Sequence, residues 1–156
     1  MAMHSIYFKT GPNDTDWTST WDDWHIVPEK RPEVATPPLV ENFLQIPGLS
    51  GKLDISEILT GAPTYGTREG SWTFVVMNPD RENLYEQWYD RYSKILNAIH
   101  GKRMKIRLDD DPNYEYEGRL KVGDWDSQNN GTWSKITISY VCDPYKKNIK
   151  TGEVKL

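Results

Sequence analysis

The side chains able to do chemistry are scattered along this chain. His4, His25 and His100 are its only histidines, and no two stand at the spacing of paired metal ligands. His100 falls in the last turn of a predicted helix, where a cation complements the helix dipole. Cys142 is the single cysteine, which excludes an intramolecular disulfide, and it ends an apolar alternation where a small buried hydrophobe is expected. No G-x-S-x-G elbow, phosphate-cradling glycine loop or Cys/His pair occurs, so nucleophilic catalysis has no visible apparatus. Glu115 and Glu117 alternate two residues apart, as on any exposed sheet face, and receive no catalytic role. Asp109, Asp110 and Asp111 read as a solvated turn or, equally, as an acidic contact surface. Three adjacent side chains on an extended segment cannot all converge on one ion. The stretch Asp124 to Gly131 faintly resembles a calcium loop, but its sixth position lacks glycine and its twelfth is Lys135 where a bidentate Glu is needed. The expectation is no catalytic residue, no metal and no cofactor.

Composition narrows the class. The 156 residues suit one domain spanning residues 1–156. There are 19 Lys+Arg against 23 Asp+Glu, a net charge of −4, which disfavours a dedicated nucleic-acid binder. The run Lys102 to Arg107 interleaves its charges with Met104 and Ile106 and reads as the solvated face of a strand. Mean hydropathy is −0.75, and no apolar run approaches the ~18–20 residues of a membrane span. The amino end shows no basic-then-apolar pattern, so the chain is expected to be made in a reducing cytoplasm without a signal peptide. The sequons at Asn13 and Asn130 are then coincidental. Aromatics stand out: 7 Trp and 9 Tyr against 3 Phe. Most carry a polar handle, the type enriched at interfaces and ligand grooves.

The elements that must position these residues are mostly strands. One helix is predicted from Arg81 to His100, with Leu84, Trp88, Tyr92, Ile95, Leu96 and Ile99 on one stripe. Asn78-Pro79-Asp80 would cap it and Gly101 would stop it. Strands are expected at Ile6–Lys9, Trp21–Val27 and Ser71–Met77, the last placed centrally because both its faces are apolar. Residues 27–38 hold several prolines among charges and form an extended connector. Val40 to Ile46 and Leu53 to Ser56 form a hairpin. Later strands run from Met104 to Leu108, Tyr114 to Val122 and Ile136 to Cys142, with Gly118 marking a bulge or close backbone approach. The fold class is mainly β: an antiparallel β-sandwich or open barrel with one flanking α-helix.

A family resemblance covers most of the chain in order. Its residues are Trp21 to Pro28 with Arg31-Pro32, Ile46-Pro47-Gly48, Gly51 to Ser56, Tyr65 to Gly70 and Phe74 to Asn78. The helix ending His100-Gly101, Asp109 to Arg119 and Asp143 to Lys146 complete it. The chain resembles the distal tail proteins of phages and prophages of Gram-positive bacteria. The resemblance implies a tail-tube-like fold and a structural virion protein, not an enzyme. It further implies a ring, hexameric in the family, that joins the tail tube to the tail-tip hub or baseplate. DNA would pass through its channel without specific binding, and no membrane is involved. Many relatives carry a carboxyl-terminal carbohydrate-binding domain; with Leu156 closing this sequence, that domain is expected to be absent.

The bottom-up reading agrees that the partner is protein, mostly further copies. Either the 40–56 hairpin or the Met104–Val122 hairpin is expected to line the channel, and a net negative chain suits a DNA conduit. Candidate interface residues are Trp21, Trp24, Arg31, Arg68, Asp109, Asp110, Asp111, Trp125 and Trp133. Two other readings are weighed: a small carbohydrate-binding module stacking sugars on Trp125 and Trp133, and a hydrolase using Asp or Glu pairs.

Overall fold

The computed structural model describes residues 4–13, 15–77, 84–127 and 133–156. In chain order these form β1 (Ile6–Lys9), β2 (Trp17–Ser19), β3 (Ile26–Pro28), β4 (Phe43–Leu44), β5 (Leu53–Asp54), β6 (Arg68–Met77), α1 (Leu84–Ile99), β7 (Arg103–Leu108), β8 (Tyr114–Val122), β9 (Asp126–Ser127), β10 (Trp133–Cys142), β11 (Lys146–Asn148) and β12 (Val154–Lys155). The main sheet is antiparallel with the order β2-β1-β7-β8-β10-β6-β3 and does not close into a barrel. β9 adds to β10, the β11–β12 ribbon adds to β8, and β4–β5 stand apart as a two-stranded sheet. The mainly β class with one helix is therefore as the sequence leads one to expect.

Strict alternation builds the long strands. Along β8, Tyr116, Gly118, Leu120 and Val122 are buried while Glu117, Arg119 and Lys121 are exposed. β10 pairs with all of β6, from Trp133↔Met77 to Cys142↔Arg68, and with β8 from Ile138↔Val122 to Cys142↔Gly118. At that last pair a Cβ on Gly118 would lie 2.5 Å from the Val141 carbonyl oxygen and 2.6 Å from Cys142 Sγ. Only glycine permits so close a backbone approach. β6 is internal but lies beside the edge strand β3, not at the sheet's centre, where β8 has three strands on either side.

The expected strand over Trp21–Val27 is divided. Ser19 N–H donates to Asp23 Oδ2 at 2.7 Å, Asp22 N–H donates to Ser19 Oγ at 3.2 Å, and Ile6 N–H donates to Thr20 Oγ1 at 3.1 Å. Short polar side chains that satisfy the backbone locally favour a turn over an extended ladder. The turn ends at His25, whose φ is 52°. β2 lies at one edge of the sheet and β3 at the other, yet only residues 20–25 join them. So few residues span at most roughly 20 Å, so the sheet must curl until its edges approach.

The core fills this curl. Trp24 stacks on Phe8 (5.9 Å between centroids, 28°), Phe8 meets Trp72 at 6.3 Å, and Trp72 stacks on Tyr140 at 4.3 Å. Ile95 and Ile99 of α1 are fully buried with Leu120 and Val122. The Tyr92 hydroxyl donates to the Gly123 carbonyl at 2.8 Å, and the exposed Asp90–Lys94 pair (3.3 Å) marks the opposite helix face. Gly101, at φ 74°, stops the helix as its position suggested. His100 has a further role: the Val122 N–H donates to its Nδ1 at 3.0 Å, so the ring ties the helix end to β8. The expected cap at Asn78-Pro79-Asp80, the start at Arg81 and the side chains of Leu84 and Trp88 lie outside the described residues.

Candidate functional site

Between β3 and β6 the chain leaves the sheet as an arm. Its base is closed by the Leu39↔Tyr65 bridge, Val40 N–H to the Thr64 carbonyl (2.8 Å) and Gly66 N–H to the Pro38 carbonyl (2.7 Å). The middle is the expected hairpin, with Phe43↔Asp54 and Leu44↔Leu53 in register. Asn42 N–H donates to Ser56 Oγ at 2.7 Å, and the Ser56 hydroxyl and N–H hold the Asp54 carboxyl below its ordinary range. Beyond β5 a tight turn presents Ile58 and Leu59, with Gly61 N–H donating to the Glu57 carbonyl at 2.8 Å. Phe43, Leu44, Leu49, Leu53, Ile58 and Leu59 are 45–97% exposed. Such a concentration of exposed apolar side chains marks an interaction surface.

The arm is anchored by residues whose role the sequence did not disclose. The connector over 27–38 gives its first two residues to β3; from 31 onward it has no regular structure but is tightly held. Trp72 Nε1–H donates to the Glu33 carbonyl at 2.9 Å, and the Ala35 N–H donates to the Tyr140 hydroxyl at 2.8 Å. Arg68, 6% exposed, donates from Nε to the Pro144 carbonyl (2.9 Å) and from Nη1 to the Ala35 carbonyl (3.0 Å), with Tyr116 beneath its guanidinium. One side chain thus ties the connector and the β11–β12 ribbon to the base of the arm.

A groove of about 530 Å³ lies on the outward face of β8 and β10, lined by His100, Gly101, Arg103, Arg119, Lys121 and Val141 among others. Arg103 and Arg119 stand directly opposite each other across β7 and β8. The like charges are separated by different partners: Arg103 pairs with Glu117 (3.3 Å) and Asp143, while Arg119 donates to the Gly101 carbonyl at 2.6 Å. Among the described residues neither Arg119 nor Lys121 makes an ion pair. Val141 is 44% exposed in the groove.

The candidate interface residues fall into distinct settings. Trp24 is 5% exposed and belongs to the core, since its ring is needed to cover Phe8 where the sheet edges converge. Arg68 is likewise buried and is an anchor, not a surface group. Trp21 is half-buried, edge-on to His25 at 5.7 Å. The three aspartates diverge, as their adjacency required. Asp109 accepts from His4 Nδ1 (2.9 Å), Asp110 takes Arg31 in a bidentate pair (2.6 and 3.0 Å), and Asp111 meets Lys146 (2.7 Å). Hydrogen bonding and charge from Asp110 raise the Arg31 pKa, and the Arg31 hydrogen bond lowers that of Asp110. Oxygens of Asp109 and Asp110 lie within 4.8 Å of a His4 nitrogen, but the guanidinium of Arg31 already occupies Asp110. This turn fastens the amino end, the connector and the ribbon together. Trp125 is half-buried, with Tyr89 at 4.7 Å in a T-shaped contact. The Trp133 side chain and most of the loop resembling a calcium site lie outside the described residues. Glu115 pairs with Lys105 (3.1 Å) and Glu117 with Arg103, each carboxylate held by a cation of β7.

No helix among the described residues is long and apolar enough to cross a membrane. No family model matches the sequence, and no curated protein matches it. Among solved structures the fold is similar to that of the SPP1 Dit (gp 19.1) protein, described as a paradigm of the hub adsorption apparatus in phages that infect Gram-positive bacteria. The TM-score is 0.67 at 17% identity, over 94% of this chain and 53% of the other. The chain spans about half the length of that protein.

Proposed function

We propose that this chain is a structural subunit of a phage or phage-like tail tip, a ring-forming adaptor between the tail tube and the hub. The observation that carries the reading is the likeness, along 94% of this chain, to the Dit protein of a phage hub adsorption apparatus. The exposed apolar arm supports it, because an assembly subunit keeps apolar surface in reserve for its neighbours. A closed ring uses heterologous contacts, in which a projection on one copy meets a different surface on the next. In the assembled particle the ring is hexameric, sits at the distal end of the tail and leaves a central passage for DNA.

Negative-stain microscopy of the purified protein, alone and mixed with phage tail-tube and hub subunits, tests the reading. Rings with a central hole, or rings capping tube ends, are expected. A particle that stays monomeric and binds neither subunit overturns it.

A further inference from the structure

The ring reading leaves open what the arm touches, and two features of the same chain answer each other. Arm residues 39–66 carry Glu41, Asp54 and Glu57 against Lys52 alone, an apolar surface with surplus negative charge. The groove on β8 and β10 has the opposite sign: Arg119 and Lys121 add positive charge beside the exposed Val141, Arg103 is already paired with Glu117 and Asp143, and no acidic residue lines it. The aliphatic stems of these long side chains provide apolar contact while their heads remain available for charge pairing. The arm does not cover its own groove, since Ile58 and Leu59 are 69% and 97% exposed and Val141 is 44% exposed.

We propose, resting on the ring reading, that the arm of one copy seats in this groove of the next copy. Ile58 and Leu59 pack on Val141 and the stems of Arg119 and Lys121. Glu57 then lies beside the two cations that lack a carboxylate partner among the described residues. The contact is heterologous, an arm on one side and a groove on the other, so it propagates around a ring without using the same patch twice. Opposite charge also sets the direction, because two grooves or two arms repel.

The test places the photo-crosslinker p-benzoylphenylalanine at position 59 of the full chain, in an equal mixture of isotope-labelled and unlabelled protein. The expected adduct joins two copies, with the linked peptide in 100–103, 119–121 or 139–141. Adducts within one copy, or between copies at other residues, overturn the arm-and-groove contact while rings on the microscope grid preserve the ring reading. Absence of both adducts and rings overturns both. A charge exchange gives a second measurement: Glu57→Lys and Lys121→Glu should each weaken association about tenfold or more, and the double variant should regain most of it. Both positions are exposed, so the thermal melt should not move. A double variant no better than either single one refutes the contact.

Discussion

At the scale of single residues, the informative groups are buried ones with polar duties. Arg68 sits 6% exposed between carbonyls that lie 33 and 76 positions away in sequence. Arg68→Met should cost roughly 2–4 kcal/mol in urea unfolding, because the part-buried carbonyls of Ala35 and Pro144 lose charge-assisted donors. Arg68→Lys should recover only part, since one ammonium cannot reproduce the planar fork. Cys142 offers a second measurement. Burial, with a smaller push from Asp143, raises its thiol to about 12. The unfolded thiol titrates near ~8.5, so the folded state holds the proton more tightly. That contribution is complete below the unfolded value and is lost as pH rises from there towards 12. The melting temperature of the parent should therefore fall more steeply across that alkaline window than that of Cys142→Ala. Iodoacetamide should label the thiol only after denaturant is added.

At the scale of elements, the arm and the sheet are separable. The arm contributes no fully buried large side chain, so replacing residues 41–63 by a short Gly-Ser turn should shift the melting temperature by only a few degrees. The same deletion should abolish self-association, read by sedimentation velocity; an arm-less chain that still assembles would exclude the arm from the interface. The arm also shows where sequence reading stops. Val40, Asn42, Leu44 and Ile46 alternate much as Met104, Ile106 and Leu108 do, and both segments read correctly as strand-like. Period two reports that a segment has an apolar face, not what covers it: Ile106 is fully buried, whereas Leu44 is 48% exposed. β1, β7, β8 and the glycine stop of α1 were legible because local pattern and burial agree. The division at 20–25 was not, because Ser19, Thr20 and Asp23 redirect backbone hydrogen bonds within an aromatic, strand-like stretch. Arg68 was not either, since its partners are backbone carbonyls that no side-chain pattern announces.

At the scale of the whole molecule, net charge proves a poor guide to any one surface. The chain carries −4 overall, yet the groove on the outward sheet face is lined by Arg103, Arg119 and Lys121 and by no acidic residue. The acidic surplus lies on the arm and in turns such as 109–111. The field inside a channel is therefore set by the face that lines it and not by the total charge. The sheet order has a consequence for biosynthesis. β10 is the last long strand to leave the ribosome, and it is the strand that pairs both with β8 of the β2-β1-β7-β8 half and with β6 of the β6-β3 half. Until Cys142 has emerged, β8 and β6 each lack the strand that separates them in the finished sheet, and Ile136, Ile138 and Tyr140 are missing from the core. The arm is synthesised before β10, so the groove that β10 helps to form exists only after the arm that the proposed contact would seat in it.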